Sequence, residues 1–137
     1  RLVLMALDIY SGSLDSHPLH RSARPLGNQH HYLVRRCHEY ALSDEGATAS
    51  VLDICKQLGI ARRTLNYSFA KVTGTSPAQY LRAVKLNAAR RQLLTSNLPV
   101  TAVAANYGFF HTGYFSQEYR RLFGETPTAT RAGRVKG

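Results

Sequence analysis

VLDICKQLGIARRTLNYSFAKVTG, residues Val51 to Gly74, decides the fold. Val51, Ile54, Cys55 and Leu58 fall at i, i+3, i+4 and i+7, which marks one buried helical face. Leu65, Phe69 and Val72 keep the same rhythm in a second segment that starts at Arg62. The period breaks at Leu58-Gly59-Ile60. Gly59 is free to take positive φ where the first helix must stop and the chain must turn sharply. Helix, tight glycine turn and second helix form a helix-turn-helix pattern. The second helix opens with Ala61-Arg62-Arg63-Thr64, so cations and donors crowd its N-terminal end. That is the end a recognition helix presents to base edges.

The unit then occurs again. An offset of 49 carries Val51, Ile54, Cys55, Leu58, Gly59 and Ile60 onto Val100, Val103, Ala104, Tyr107, Gly108 and Phe109. Past the turn the offset is 50, and Leu65, Phe69, Gly74 and Pro77 map onto Phe115, Tyr119, Gly124 and Pro127. The second copy is the first with one extra turn residue, and such self-similarity outranks other sequence signals. Phe109 matches Ile60 and belongs in the core; the extra residue, Phe110, is expected there too. Between the copies, Ser76 to Thr95 reads as one long helix, with Ser76 as its cap and Pro77 in its first turn. Leu81, Val84 and Ala88 make one apolar stripe and Leu86, Ala89 and Leu93 another, as suits a helix that serves both lobes.

These residues resemble the C-terminal DNA-binding domain of AraC/XylS-type bacterial transcription regulators. The matching pieces are Leu58-Gly59-Ile60 with Leu65 and Phe69, then Gly74-Thr75-Ser76-Pro77 with Tyr80-Leu81. In the second copy they are Tyr107-Gly108-Phe109, Phe115, Tyr119-Arg120, Phe123-Gly124, Thr126-Pro127 and Arg131. The resemblance covers residues 30 to 131. Members often carry Arg where this chain has Tyr67 and Gln117, and Tyr where it has Thr130. The resemblance implies an all-α domain of two helix-turn-helix subdomains joined by a long linker helix. It places Arg63, Asn66 and Tyr67 toward bases and Arg62 at the edge near the backbone. Regulation in a bacterial cytoplasm, activation included, goes with it. RNA polymerase is then a further partner, with dimerisation through an N-terminal region beyond this chain. The residues do not choose an operator, an effector, or activation over repression.

Net charge is +10, and its distribution is informative. Residues 1 to 50 are balanced, residues 51 to 100 carry +7, and residues 101 to 137 carry +3. A charge kept only for solubility would be spread evenly; one focused on the repeat marks a polyanion-binding surface. No apolar run approaches the ~18 residues of a membrane span. Leu2 to Ile9 lacks the basic flank and cleavage site of a signal peptide. The chain begins with Arg1, which suggests a piece of a longer protein.

The expected organisation is a linker or upstream tail over 1–27, a first lobe over 28–75, the linker helix over 76–96, and a second lobe with its tail over 97–137. Within the first part, Leu2 to Tyr10 suits a short helix and Ser11 to Gly27 a loop. Asn28 to Leu42 reads as a helix capped by Asn28, with Leu33, Cys37, Tyr40 and Ala41 as its buried stripe. Ser50 should cap the next helix and leave amides for a phosphate, while Asp53 suits the dipole of its first turn. The tail after Ala132 is basic and reads as loose. His17, His20, His30, His31 and His38 read as solvated or edge-of-core residues.

The expected function is therefore sequence-specific binding of double-stranded DNA by two tandem units reading adjacent major grooves. The candidate DNA contacts are Arg62, Arg63, Asn66 and Tyr67 in the first copy, and His111, Thr112, Gly113, Ser116, Gln117 and Arg120 in the second. Ser50, Arg82, Lys85, Thr101 and Arg121 are candidate phosphate contacts. As a helix, Pro77 to Leu94 spans ~27 Å, against about 34 Å between successive major-groove faces. No nucleophile–base set, phosphate loop or paired carboxylate supports an enzyme, and no cofactor or metal is implied. The rival from another class is a redox- or metal-responsive sensor using Cys37, Cys55 or the histidines.

Overall fold

Two glycine-ended helical hairpins set the architecture. The computed structural model describes residues 29–134. The tail over 1–27, the Asn28 cap and the last three residues lie outside the described part. Among the described residues the elements are α1 (Gln29–Ala41), α2 (Val51–Leu58), α3 (Arg62–Thr73), α4 (Pro77–Thr95), α5 (Val100–Asn106), α6 (Thr112–Phe123) and α7 (Pro127–Ala132), with no strand. The fold is all-α, as expected. Two compact units divide between Val84 and Lys85. The boundary thus falls inside α4, and each unit takes one half of the helix that sequence reasoning set apart as a linker.

The repeat is visible in the turns themselves. In the first unit Ile60 N–H donates to Cys55 O at 3.0 Å; in the second Phe109 N–H donates to Ala104 O at 2.9 Å. Gly59 and Gly108 both take positive φ, 66° and 87°. These positions keep the offset of 49. The next N-caps, Ala61 and His111, are at offset 50, as are the left-handed C-caps Gly74 and Gly124. The extra residue therefore sits between Phe109 and His111. It is Phe110, and it is 77% exposed. The expectation that Phe110 joins the core is wrong: the insertion lengthens the turn, and the core position is already taken by Phe109, which packs on the second unit's cluster.

In the first unit the core holds Val34, Cys37, His38, Ala41, Ile54, Leu65, Phe69 and Tyr80. The stripe on α1 is Val34, Cys37, His38 and Ala41, so Val34 and His38 replace the expected Leu33 and Tyr40. His38 is only 1% exposed. It is neither solvated nor at an edge, because its Nδ1 is hydrogen-bonded to Tyr80 Oη at 2.9 Å, and a buried polar group is tolerable when paired. On α3 the buried residues are Leu65, Ser68, Phe69 and Thr73. Thr73 rather than Val72 closes the stripe, donating to Phe69 O at 2.8 Å. The loop before α2 passes so close to α1 that a Cβ on Gly46 would lie 1.8 Å from Tyr40 O, which accounts for glycine there.

In the second unit Leu86, Ala89, Leu93, Val103, Ala104, Phe115 and Tyr119 form the core. Thr126 caps α7, accepting from Ala129 N–H at 3.1 Å. Arg131 and Arg134 close the end of α4: Arg131 donates to Leu93 O and Leu98 O, and Arg134 to Leu93 O and Ser96 O. The carbonyls at a helix C-terminus lack intrahelical partners and carry partial negative charge, so guanidinium groups stabilise them. The residues just after Ala132, expected to be loose, are tied to the helix through Arg134.

Candidate nucleic-acid interface

On α3 the apolar period turns Leu65 and Phe69 inward and so must turn Arg62, Arg63, Asn66, Tyr67 and Ala70 outward; all five are exposed. Ala61, the N-cap, offers no side-chain hydrogen bond. The first-turn amides of α3 therefore keep their partial positive charge beside Arg62 and Arg63, with no acidic residue in that turn. The start of α2 differs. Ser50 Oγ accepts from Asp53 N–H at 3.1 Å, and Asp53 Oδ2 accepts from Ser50 N–H at 3.0 Å. Two amides are thus already engaged, and a carboxylate stands where Ser50 was expected to receive a phosphate, which works against that role.

The second unit presents α6. His111 is its N-cap, its Nδ1 accepting from Tyr114 N–H at 3.0 Å, so this candidate contact also holds the helix start. A Cβ on Gly113 would approach His111 Cε1 to 3.2 Å. Glycine there leaves room for the capping ring, a reason additional to close approach by a ligand. His111, Thr112, Gly113, Gln117 and Arg120 are exposed and Ser116 is half-buried. Ser116, Gln117, Arg120, Arg121 and Thr126 line one open groove of about 620 Å³. Four of these five were singled out from the sequence as contacts; Thr126 was named there only in the Thr126-Pro127 pair. Arg121 lies 3.8 Å from Glu118, but its side chain is 70% exposed and such pairs contribute little.

The remaining phosphate candidates separate. Thr101 is exposed and Arg82 half-buried. Lys85 is largely buried, 9% exposed, and so is less open to a strand from solvent than Thr101 or Arg82.

For the sensor alternative, Cys37 and Cys55 are both free and buried. Burial, and secondarily the neighbouring Cys55, pushes the Cys37 thiol up to about 12; a thiol of that kind supplies almost no thiolate for redox chemistry. Among the described residues no three His, Cys, Asp or Glu side chains gather as a metal site. His17 and His20 fall outside them. No helix among the described residues is long and apolar enough to cross a membrane.

Two helix-turn-helix units, each exposing the polar face of its second helix, define a DNA-binding architecture. Residues 54–133 match the family model described as a helix-turn-helix domain. XylDLEGF operon transcriptional activator 1 of Pseudomonas putida is 45% identical over 71 residues, covering 50% of this chain and 22% of its own length. The probable thc operon regulatory protein of Rhodococcus erythropolis is 29% identical over 99 residues, 70% of this chain and 30% of that protein. An AraC-type DNA-binding-domain regulator structure from Chromobacterium violaceum superposes with a TM-score of 0.67 at 29% identity, covering 82% of this chain and 98% of that one. The chain belongs to the AraC/XylS-type helix-turn-helix family and is a DNA-binding domain of the kind found in its transcription regulators. It spans less than a third of the length of either curated relative.

Proposed function

We propose that this domain binds double-stranded DNA sequence-specifically, with α3 of the first unit and α6 of the second each reading a major groove. The observation that carries the reading is α3: Arg62, Arg63, Asn66 and Tyr67 are all exposed on one face while Leu65 and Phe69 are buried on the other. In this reading Arg63 forks onto guanine and Asn66 onto adenine, while Arg62 holds the backbone. On α6, Gln117 and Arg120 take the corresponding work, with Thr112, Ser116 and the His111 ring at the margin. Arg121, Thr101 and Arg82 serve phosphates. The domain works as a cytoplasmic binding module, not an enzyme, and needs no cofactor. RNA polymerase as a second partner, and dimerisation through sequence outside these units, belong to the same proposal, which draws on relatives named as operon activators.

Selection from random duplex DNA tests this directly. One enriched sequence is expected, with affinity falling roughly a thousand-fold or more between 50 and 200 mM salt if about six phosphates are contacted. Binding that selects no sequence, or barely responds to salt, would sink the proposal.

A further inference from the structure

Tyr67 stands on the exposed face of α3 and is 56% exposed, yet its ring is held. The His30 ring meets it edge-on, with centroids 5.2 Å apart and planes at 71°. Lys71, one turn further along α3, places Nζ 5.8 Å from the same ring's centroid. His30 is in turn fixed: its Nδ1 is hydrogen-bonded at 2.8 Å to the hydroxyl of Ser68, which is fully buried. The chain of contacts runs from a core hydroxyl through an α1 histidine to a tyrosine on the outer face of the second hairpin helix. A free surface tyrosine samples several rotamers and loses that freedom on binding, whereas a ring already braced on its edge and face loses less.

We propose that His30 is a positioning residue for DNA reading: from α1, outside the helix-turn-helix hairpin, it holds the Tyr67 ring so that the phenol meets a base edge. The inference rests on the DNA reading above and adds the residue that orients one reader. His30 touches no DNA in this account; it acts through Tyr67.

The probe is the duplex recovered by selection, together with every single base-pair variant of it, bound to the whole chain carrying His30→Ala, His30→Gln, Tyr67→Ala, or both alanines. Tyr67→Ala should flatten the preference at one base pair. His30→Ala should weaken preference at that same pair, by roughly five- to tenfold, and add nothing in the Tyr67→Ala background, as coupled residues do. His30→Gln keeps a partner for Ser68 but lacks the ring, so it should lose the preference while melting near the wild-type temperature. A merely structural histidine would instead lower affinity equally for all duplexes, or lower it further in the Tyr67→Ala background; either result overturns the proposal. Unchanged preference in His30→Ala overturns this inference alone. A wild-type domain with no preferred duplex overturns the DNA reading and this inference with it.

Discussion

Tyr119 donates a 2.7 Å hydrogen bond to Thr130, at the two positions that Phe69 and Tyr80 occupy in the first unit. There the two rings meet edge-to-face at 5.4 Å, and the phenol of Tyr80 pairs with His38. The second unit has moved its phenol to the other member of the pair and shortened its neighbour to threonine. Thr130, buried with 4% exposure, donates its own hydrogen bond to the Glu125 carboxylate.

That exchange predicts a swap experiment. Thr130→Val leaves the buried Tyr119 hydroxyl without its acceptor and should cost about 1–3 kcal/mol in urea unfolding. Adding Tyr119→Phe should recover part of the loss, since the unpaired hydroxyl is then gone. Thr130→Tyr alone should overpack the site at a cost of about 1–3 kcal/mol, and Thr130→Tyr with Tyr119→Phe, which puts the first unit's two side chains at these positions, should be the milder variant. A double change that costs the sum of its two single changes would show that the two sites are independent.

Cys37 predicts a pH window. Its thiol ordinarily titrates near 9.0 and in the fold is pushed up to about 12, chiefly by burial. A raised pKa means the folded state favours the protonated thiol. The associated stability is complete below about pH 9, declines as the unfolded chain ionises, and is gone at about pH 12. Tyr119, raised by burial, acts in the same direction at the upper end. Wild type should therefore lose stability from pH 8.5 to 10.5 more steeply than Cys37→Ala. Parallel curves would mean that the thiol is not desolvated.

Phe110 and Phe115 should behave as opposites. Phe115 is fully buried in the second core and Phe110 is 77% exposed. Phe115→Ala should cost about 3–5 kcal/mol, while Phe110→Ala should stay within about 0.5 kcal/mol. A melting curve of each variant checks both. A large loss for Phe110→Ala would restore it to the core.

The contrast shows where sequence reasoning reaches and where it stops. Helix ends and turns are local: Gly59, Gly74 and Gly124 and the Ser50 and Ser76 caps are legible within four residues of themselves, and so is the outward face of α3. His38 is not, because the partner that makes its burial tolerable, Tyr80, is 42 positions away. The roles of Arg131 and Arg134 show only once the end of α4 is placed beside them. Lys85 looked like one cation among several, and only packing distinguishes it. Phe110 failed for a different reason: an insertion has no counterpart in the repeat, so its direction could not be copied from the first unit. Tyr67 was visible as an exposed reader, but nothing in the local sequence tied it to His30.

The two units should contribute unequally to DNA affinity. The exposed start of α3 carries Arg62 and Arg63 with no acidic residue in its first turn. Over its first turn α6 offers Thr112 and Gly113 after a histidine already engaged as a cap, and its basic residues, Arg120 and Arg121, lie in its last turn. A bidentate guanidinium contact to guanine is worth about 1–3 kcal/mol of discrimination. Arg63→Ala should therefore raise Kd on the selected duplex by roughly ten- to a hundredfold and relax preference at one base pair. Gln117→Ala should cost less and relax a pair in the other half of the site. Arg62→Ala, removing a backbone contact, should weaken all duplexes alike and reduce the salt slope by about one. A larger loss for Gln117→Ala than for Arg63→Ala would make α6 the principal reader, and the charge on α3 would then serve attraction to the strand rather than recognition of its bases.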